Sequence, residues 1–134
     1  LVFCSGKVYF DLLEAREVNN IDDIAIIRIE QLYPFPVDEF ADIIDQYSHV
    51  EEFVWCQEEP LNQGAWYQIK HRLQDPLKDH QQLYYAGRAS AAAPASGVFK
   101  VHLQQQQALV EAALDIKAEA SKVRKPEKTK RKKK

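Results

Sequence analysis

The sequence predicts an α/β layered domain, with a mostly parallel sheet flanked by helices. Two observations carry this. Four short apolar runs alternate along the chain with four stretches whose apolar residues recur at helical spacing. One of the runs, Ile24-Ala25-Ile26-Ile27-Arg28-Ile29, is β-branched and nearly continuous, as in a parallel strand covered on both faces.

Leu1–Ser5 is the first strand-like run, closed by Gly6 at the sharp turn into a helix. Val8, Leu12, Leu13 and Ala15 then recur at helical spacing through Arg16, and Asn19-Asn20 ends the pattern, because asparagine tolerates left-handed backbone. After the second run, Pro34 and Pro36 exclude helix or central strand over Leu32–Pro36. A second helix starts at Val37, with Phe40, Ile43, Ile44 and Tyr47 on one face. Pro36 precedes it, and Asp38 and Glu39 suit its positive end.

Phe53-Val54-Trp55-Cys56 is the third strand, and Glu58–Gly64 reads as a loop by composition. Ala65–Leu73 reads as a helix with Trp66, Ile69 and Leu73 on one side. Leu83-Tyr84-Tyr85-Ala86 is the fourth strand, closed by Gly87. Ala89–Gly97 is a small-residue loop. Val98–Leu114 is the last helix, with Val101, Leu109, Ala112 and Ala113 as its apolar positions and Gln104–Gln107 as a solvated face. The composition changes at Lys117, so residues 1–116 are expected as the α/β domain and 117–134 as a basic, disordered tail.

The net charge of −2 hides an asymmetry: the tail holds ten Lys/Arg against two Glu, and the body is correspondingly acidic. Methionine is absent and the chain opens on Leu1 inside an apolar run, which suggests a piece of a longer polypeptide. No apolar run approaches the ~20 residues that span a bilayer, so no membrane is expected as a partner. Cys4 and Cys56 lie inside strand-like runs and are expected as buried free thiols. A disulfide between neighbouring strands would need an oxidising compartment.

Ligands of parallel sheets favour the carboxyl ends of the strands, here Ser5-Gly6-Lys7, Glu30-Gln31, Gln57-Glu58-Glu59 and Gly87-Arg88. Ser5-Gly6-Lys7 has the elements of an anion site at a helix start, without the full phosphate-loop pattern; an exposed lysine on a tight turn is the plainer reading. Glu58 and Glu59 could split acid and base roles. Neighbours on an extended segment point opposite ways, however, so one is expected to pair with a cation and the other to cap the next helix. Trp55 and Trp66 read as core or subunit-interface anchors. His49, His71, His80 and His102 lack metal-site spacing and a nucleophilic neighbour. No catalytic, cofactor-binding or metal-binding residue is assigned.

Several long segments in one order resemble a known family. They are Cys4–Leu12, Arg28–Pro36 (Arg-Ile-Glu-Gln-Leu-Tyr-Pro-Phe-Pro), Trp55–Trp66 (Trp-Cys-Gln-Glu-Glu-Pro-Leu-Asn-Gln-Gly-Ala-Trp), Tyr85–Arg88 and Val101-His102. Over about residues 1–115 the chain resembles the C-terminal domain of the thiamine-diphosphate-dependent, decarboxylating component of 2-oxoglutarate dehydrogenase. The resemblance implies a transketolase-like C-terminal fold that braces a homodimer. It places thiamine diphosphate and magnesium on preceding domains, so this stretch alone would not be catalytic.

It further implies a dihydrolipoyl succinyltransferase complex as partner, and an acetyl-coenzyme A or nucleotide effector near this domain. Lys7, Arg28 and Arg88 are the candidates to border the effector. Glu58, Glu59, Asn62, Gln63 and Trp66 are expected at a domain or subunit contact. The implied compartment is the bacterial cytoplasm, or the mitochondrial matrix in a eukaryote. The competing reading is a free-standing α/β module that uses its basic tail on nucleic acid or an acidic partner.

Overall fold

In the computed structural model, residues 1–93 and 97–116 are described in full, and 125–126 for the backbone. The tail expected over 117–134 otherwise lies outside the described residues. The elements run β1 (Val2–Cys4), α1 (Val8–Val18), β2 (Ile26–Arg28), α2 (Val37–Gln46), β3 (Glu52–Pro60), α3 (Trp66–Gln74), β4 (Gln82–Arg88), α4 (Phe99–Ala113) and β5 (Lys125–Pro126). The sheet order is β2-β1-β3-β4-β5. The first four strands are mutually parallel, and β5 pairs antiparallel with β4 opposite Tyr84 and Tyr85. The layered α/β class read from the sequence is therefore the observed one.

The period-two alternation of a strand sorts side chains onto two faces, and each face has its own core. Val2, Cys4, Val54, Cys56 and Ala86 point to one side. There they pack with Val8 and Leu12 of α1 and with Leu109, Val110, Ala112 and Ala113 of α4. Phe3, Phe53, Trp55, Leu83 and Tyr85 point to the other, against Phe40 and Ile44 of α2 and Trp66, Ile69 and Leu73 of α3. Burying each large apolar side chain is worth roughly 1.5–3 kcal/mol, so these faces hold the three layers together.

Three expectations are corrected. The Ile24–Ile29 run is not a strand covered on both faces. Only Ile26–Arg28 pairs, and it is half-buried because β2 is the outer neighbour of β1. The third strand does not stop at Cys56. It continues to Pro60, which pairs with Arg88 beyond an irregularity after Cys56, so Glu58 and Glu59 lie on a strand rather than in a loop. Only the C-terminal half of α4 is buried; Phe99 and Leu103 are exposed, and so is Val101.

Local chemistry explains the junctions. Gly6 has φ +74°, which lets the chain turn from β1 into α1. Asn19 follows α1 and Asn20 adopts φ +51°, as the Asn-Asn signal implied. Pro36 stands at the N-cap of α2, with Asp38 and Glu39 in the first turn, where the helix dipole favours them. Among the described residues, no helix is long and apolar enough to cross a membrane.

Candidate functional site

From β1 the chain moves outward to β2, then crosses back to place β3 on the other side of β1. Loops leaving the carboxyl ends of β1 and β3 therefore diverge, and the crevice between them is where such sheets receive ligands. Cys4 and Cys56 are register partners there, so Lys7, just past the end of β1, comes to lie beside Glu58, two residues further along β3.

They meet directly. Lys7 Nζ donates to Glu58 Oε1 at 2.7 Å, and Gln106 Nε2 of α4 donates to the same oxygen at 2.9 Å. Gln106 Nε2 also donates to Asp11 Oδ2 at 2.8 Å, and its Oε1 accepts from Arg88 Nη2 at 2.8 Å. Arg88 Nη1 donates to His102 Nδ1 at 3.0 Å and to Gln105 Oε1 at 3.3 Å. That bond requires the neutral imidazole with its proton on Nε2. Arg88 is only 8% exposed, and its Nε has no hydrogen-bond partner. A buried arginine needs charge and hydrogen-bond compensation, and here two glutamines and a histidine from one face of α4 supply most of it. Proximity of the Glu58 carboxylate raises the Lys7 pKa above its ordinary value, through their hydrogen bond first and their charge attraction second.

Gly87 sets the approach of β4 to this network. A Cβ there would collide with the Tyr85 hydroxyl and lie 2.6 Å from Tyr85 Cζ. The Tyr85 hydroxyl in turn donates to the Arg88 carbonyl at 3.2 Å.

Beside this network, on the α3 side, stands a second one built on Gln57, which is 2% exposed. Its Oε1 accepts from Trp55 Nε1 at 2.9 Å and from the Trp66 backbone N–H at 3.1 Å. Its Nε2 donates to the carbonyls of Gln63 at 2.9 Å, Pro60 at 3.1 Å and Glu59 at 3.2 Å. One amide thus ties the end of β3 to the start of α3. Asn62 continues the connection outward by exchanging two 2.9 Å bonds with the Ala91 backbone, and Gln63 Nε2 reaches the same carbonyl at 3.2 Å.

With this geometry in view, the likeness to known proteins is specific. Residues 1–114 match the family model described as 2-oxoglutarate dehydrogenase C-terminal. The chain belongs to the 2-oxoglutarate dehydrogenase C-terminal family. It is 55% identical over 116 residues to the 2-oxoglutarate dehydrogenase E1 component of Haemophilus influenzae, covering 87% of this chain and 12% of that protein. The Azotobacter vinelandii protein of the same name is 49% identical over 119 residues, covering 87% and 13%. The Cupriavidus necator one is 48% identical over 113 residues, covering 84% and 12%. The chain spans about an eighth of the length of these relatives.

Within this 2-oxoglutarate dehydrogenase C-terminal domain, the three candidate cations separate. Lys7 and Arg88 join one network through Glu58 and Gln106. Arg28 stands apart at the end of β2, with its guanidinium carbon 5.7 Å from the Tyr9 ring centroid and 5.5 Å from that of Phe10. It lies 3.7 Å from Glu30, and its Nε is without a hydrogen-bond partner. The two glutamates diverge, and Glu58 takes the cation. The first N–H of α3 is met by Gln57, so neither glutamate caps that helix.

Trp66 is 1% exposed and packs 5.2 Å from the Tyr85 ring, inside the domain's own core. Its side chain offers no surface to a partner, which removes it from the contact set; Tyr67, beside it, is exposed. Asn62 and Glu59 are exposed, and Gln63 is half-buried. Cys4 and Cys56 are free and buried. Among the described residues, no three His, Cys, Asp or Glu side chains are grouped to hold a metal ion.

Sequence reasoning missed Asp11, His102, Gln105 and Gln106 as members of the site; of the Gln104–Gln107 face it read as solvated, Gln104, Gln105 and Gln107 are exposed and Gln106 is half-buried. The signal was present: His102, Gln105 and Gln106 are spaced i, i+3 and i+4, which puts them on one helical face.

Proposed function

We propose that this chain is the C-terminal dimerisation and regulatory domain of a 2-oxoglutarate dehydrogenase, and that its carboxyl-end network borders a site for a polyanionic effector such as acetyl-coenzyme A or a nucleotide. The observation that carries the effector reading is the buried Arg88 beside Lys7 at the switch point of the sheet. The exposed Lys7 ammonium is a group that can reach phosphate oxygens, and Arg88, whose Nη atoms are held by α4, adds a buried positive charge beside it. Arg28, with the Tyr9 and Phe10 rings beside it, borders the same end of the sheet and offers a flat surface for a base.

In the parent enzyme, thiamine diphosphate with magnesium supplies the electron sink for decarboxylating 2-oxoglutarate. No step of that reaction is assigned to residues of this domain. The upstream domains hold the cofactor, a second subunit completes the dimer, and the succinyl group passes to a lipoyl group of the dihydrolipoyl succinyltransferase complex. Glu59, Asn62 and Gln63 form the contact toward those domains, with Glu58 at its edge. The cytoplasm of a bacterium is the compartment that fits these relatives.

Calorimetric titration tests the reading. The chain is expected to bind acetyl-coenzyme A saturably, more weakly at high salt, and to leave thiamine diphosphate with magnesium unbound. Tight cofactor binding by this chain would overturn the assignment.

A further inference from the structure

The network at the strand ends has a property that an anion site should not have. Lys7 and Arg88 bring two positive charges, and Glu58 and Asp11 bring two negative ones, all joined through the neutral Gln106. The set is neutral as it stands, so it attracts a polyanion no better than an uncharged surface does. Its members are not equally held. Arg88 is buried and fixed by three side chains of α4. Glu58 is 23% exposed and keeps Gln106 as a donor even if Lys7 leaves. The Lys7 side chain is 77% exposed and its described hydrogen bond is to Glu58 alone. An ion pair with one partner that exposed is weak and easily exchanged.

We propose that Glu58 is a built-in counter-ion that holds this site closed: its carboxylate occupies Lys7, and a polyphosphate ligand binds by displacing Glu58 from Lys7. This deepens the effector reading and rests on it. Displacement frees the ammonium to swing toward the ligand, while Glu58 remains on Gln106. The ligand must therefore carry at least two negative charges, because a single one would merely replace the carboxylate it removes. Affinity is set by an exchange between anions, which makes the site selective for diphosphates over monoanions.

The test is calorimetric titration with acetyl-coenzyme A of the full chain and of Glu58→Gln, Lys7→Gln and Glu59→Gln variants. The amide introduced by Glu58→Gln still accepts from Gln106, so the network keeps its framework. Removing one negative charge at this range is expected to tighten binding about tenfold. Glu59→Gln, which removes an exposed neighbouring carboxylate off the network, is expected to change affinity less than about twofold. Lys7→Gln is expected to weaken it.

Equal tightening by Glu58→Gln and Glu59→Gln would overturn the counter-ion role in favour of bulk charge. Unchanged affinity in Glu58→Gln with weakened affinity in Lys7→Gln would overturn the counter-ion and leave the effector site standing. No binding by any of the proteins would overturn both. If Glu58→Gln melts early, Glu58→Asp keeps the charge but withdraws it from Lys7; binding looser than or equal to the unaltered chain would then overturn the proposal.

Discussion

Replacing Gln57 by methionine isolates the contribution of one buried amide. The two side chains are close in volume, so the exchange leaves little cavity. It removes the acceptor for Trp55 Nε1–H and for the first N–H of α3, and the donor to three carbonyls. The carbonyls are partly spared, since the Pro60 oxygen also accepts from Gln63 N at 2.8 Å and the Glu59 oxygen accepts from the Tyr85 hydroxyl at 3.5 Å. The two N–H groups are buried with no other acceptor in the described network. A stranded buried donor costs about 1–3 kcal/mol, so Gln57→Met is expected to lose about 3–5 kcal/mol once the weakened carbonyl contacts are added. Urea unfolding followed by far-ultraviolet circular dichroism measures this, with an unchanged slope expected. A loss below about 1 kcal/mol would mean that water or a shifted side chain satisfies these groups, and the account of the β3–α3 junction would fail.

Trp66→Ala is expected to cost about 3–5 kcal/mol by removing a large core side chain. It should not change sedimentation of whatever fraction stays folded; a loss of self-association at unchanged stability would restore Trp66 to an interface. The thiols should be silent in the native state. Burial pushes Cys4 up to about 12, with Arg28 opposing, and burial raises Cys56 well above 9.0. Because these folded-state values lie above the unfolded ones, the unfolded chain loses its thiol protons first. Stability should hold below pH 9 and fall as pH rises from about 9 toward 12. Disulfide-exchange labelling at pH 8 should proceed only through unfolding, and rapid native labelling would contradict the buried placement.

The layers were legible because period-two and period-3.6 patterns report directly on which face meets the core. Ile69 and Leu73 on α3 and Phe40 and Ile44 on α2 are buried as their spacing indicated. What failed was position within the sheet. The Ile24–Ile29 run is as apolar as a central strand, yet the order of strands makes it an outer one, and strand order depends on non-local pairing that a local pattern does not encode. Glu58 through Pro60 reads as a loop because of its charge and proline, while pairing with Arg88 extends β3 through it.

The site divides the same way. Lys7 and Arg88 stood out as charged residues at strand ends, and Glu58 and Glu59 as a pair of which one would meet a cation; only the fold shows that it is Glu58. Gln106 looked like one of four equivalent glutamines until α4 was laid over the end of β4. The role of Trp66 was ambiguous for a related reason: an aromatic at helical spacing fits a core and an interface equally, and only its packing on Tyr85 decides.

The proposed polyanion site spans the carboxyl ends of β1, β3 and β4. Two-dimensional amide nuclear magnetic resonance during titration with acetyl-coenzyme A tests it most directly. Shift changes centred on Lys7, Asp11, Glu58, Arg88 and Gln106 are the predicted result. A hollow at the opposite ends of the strands, lined by Leu1, Asp22, Asp23, Ile24 and His49, should stay unperturbed. Changes centred there, or none at Lys7 and Arg88, would contradict the claim.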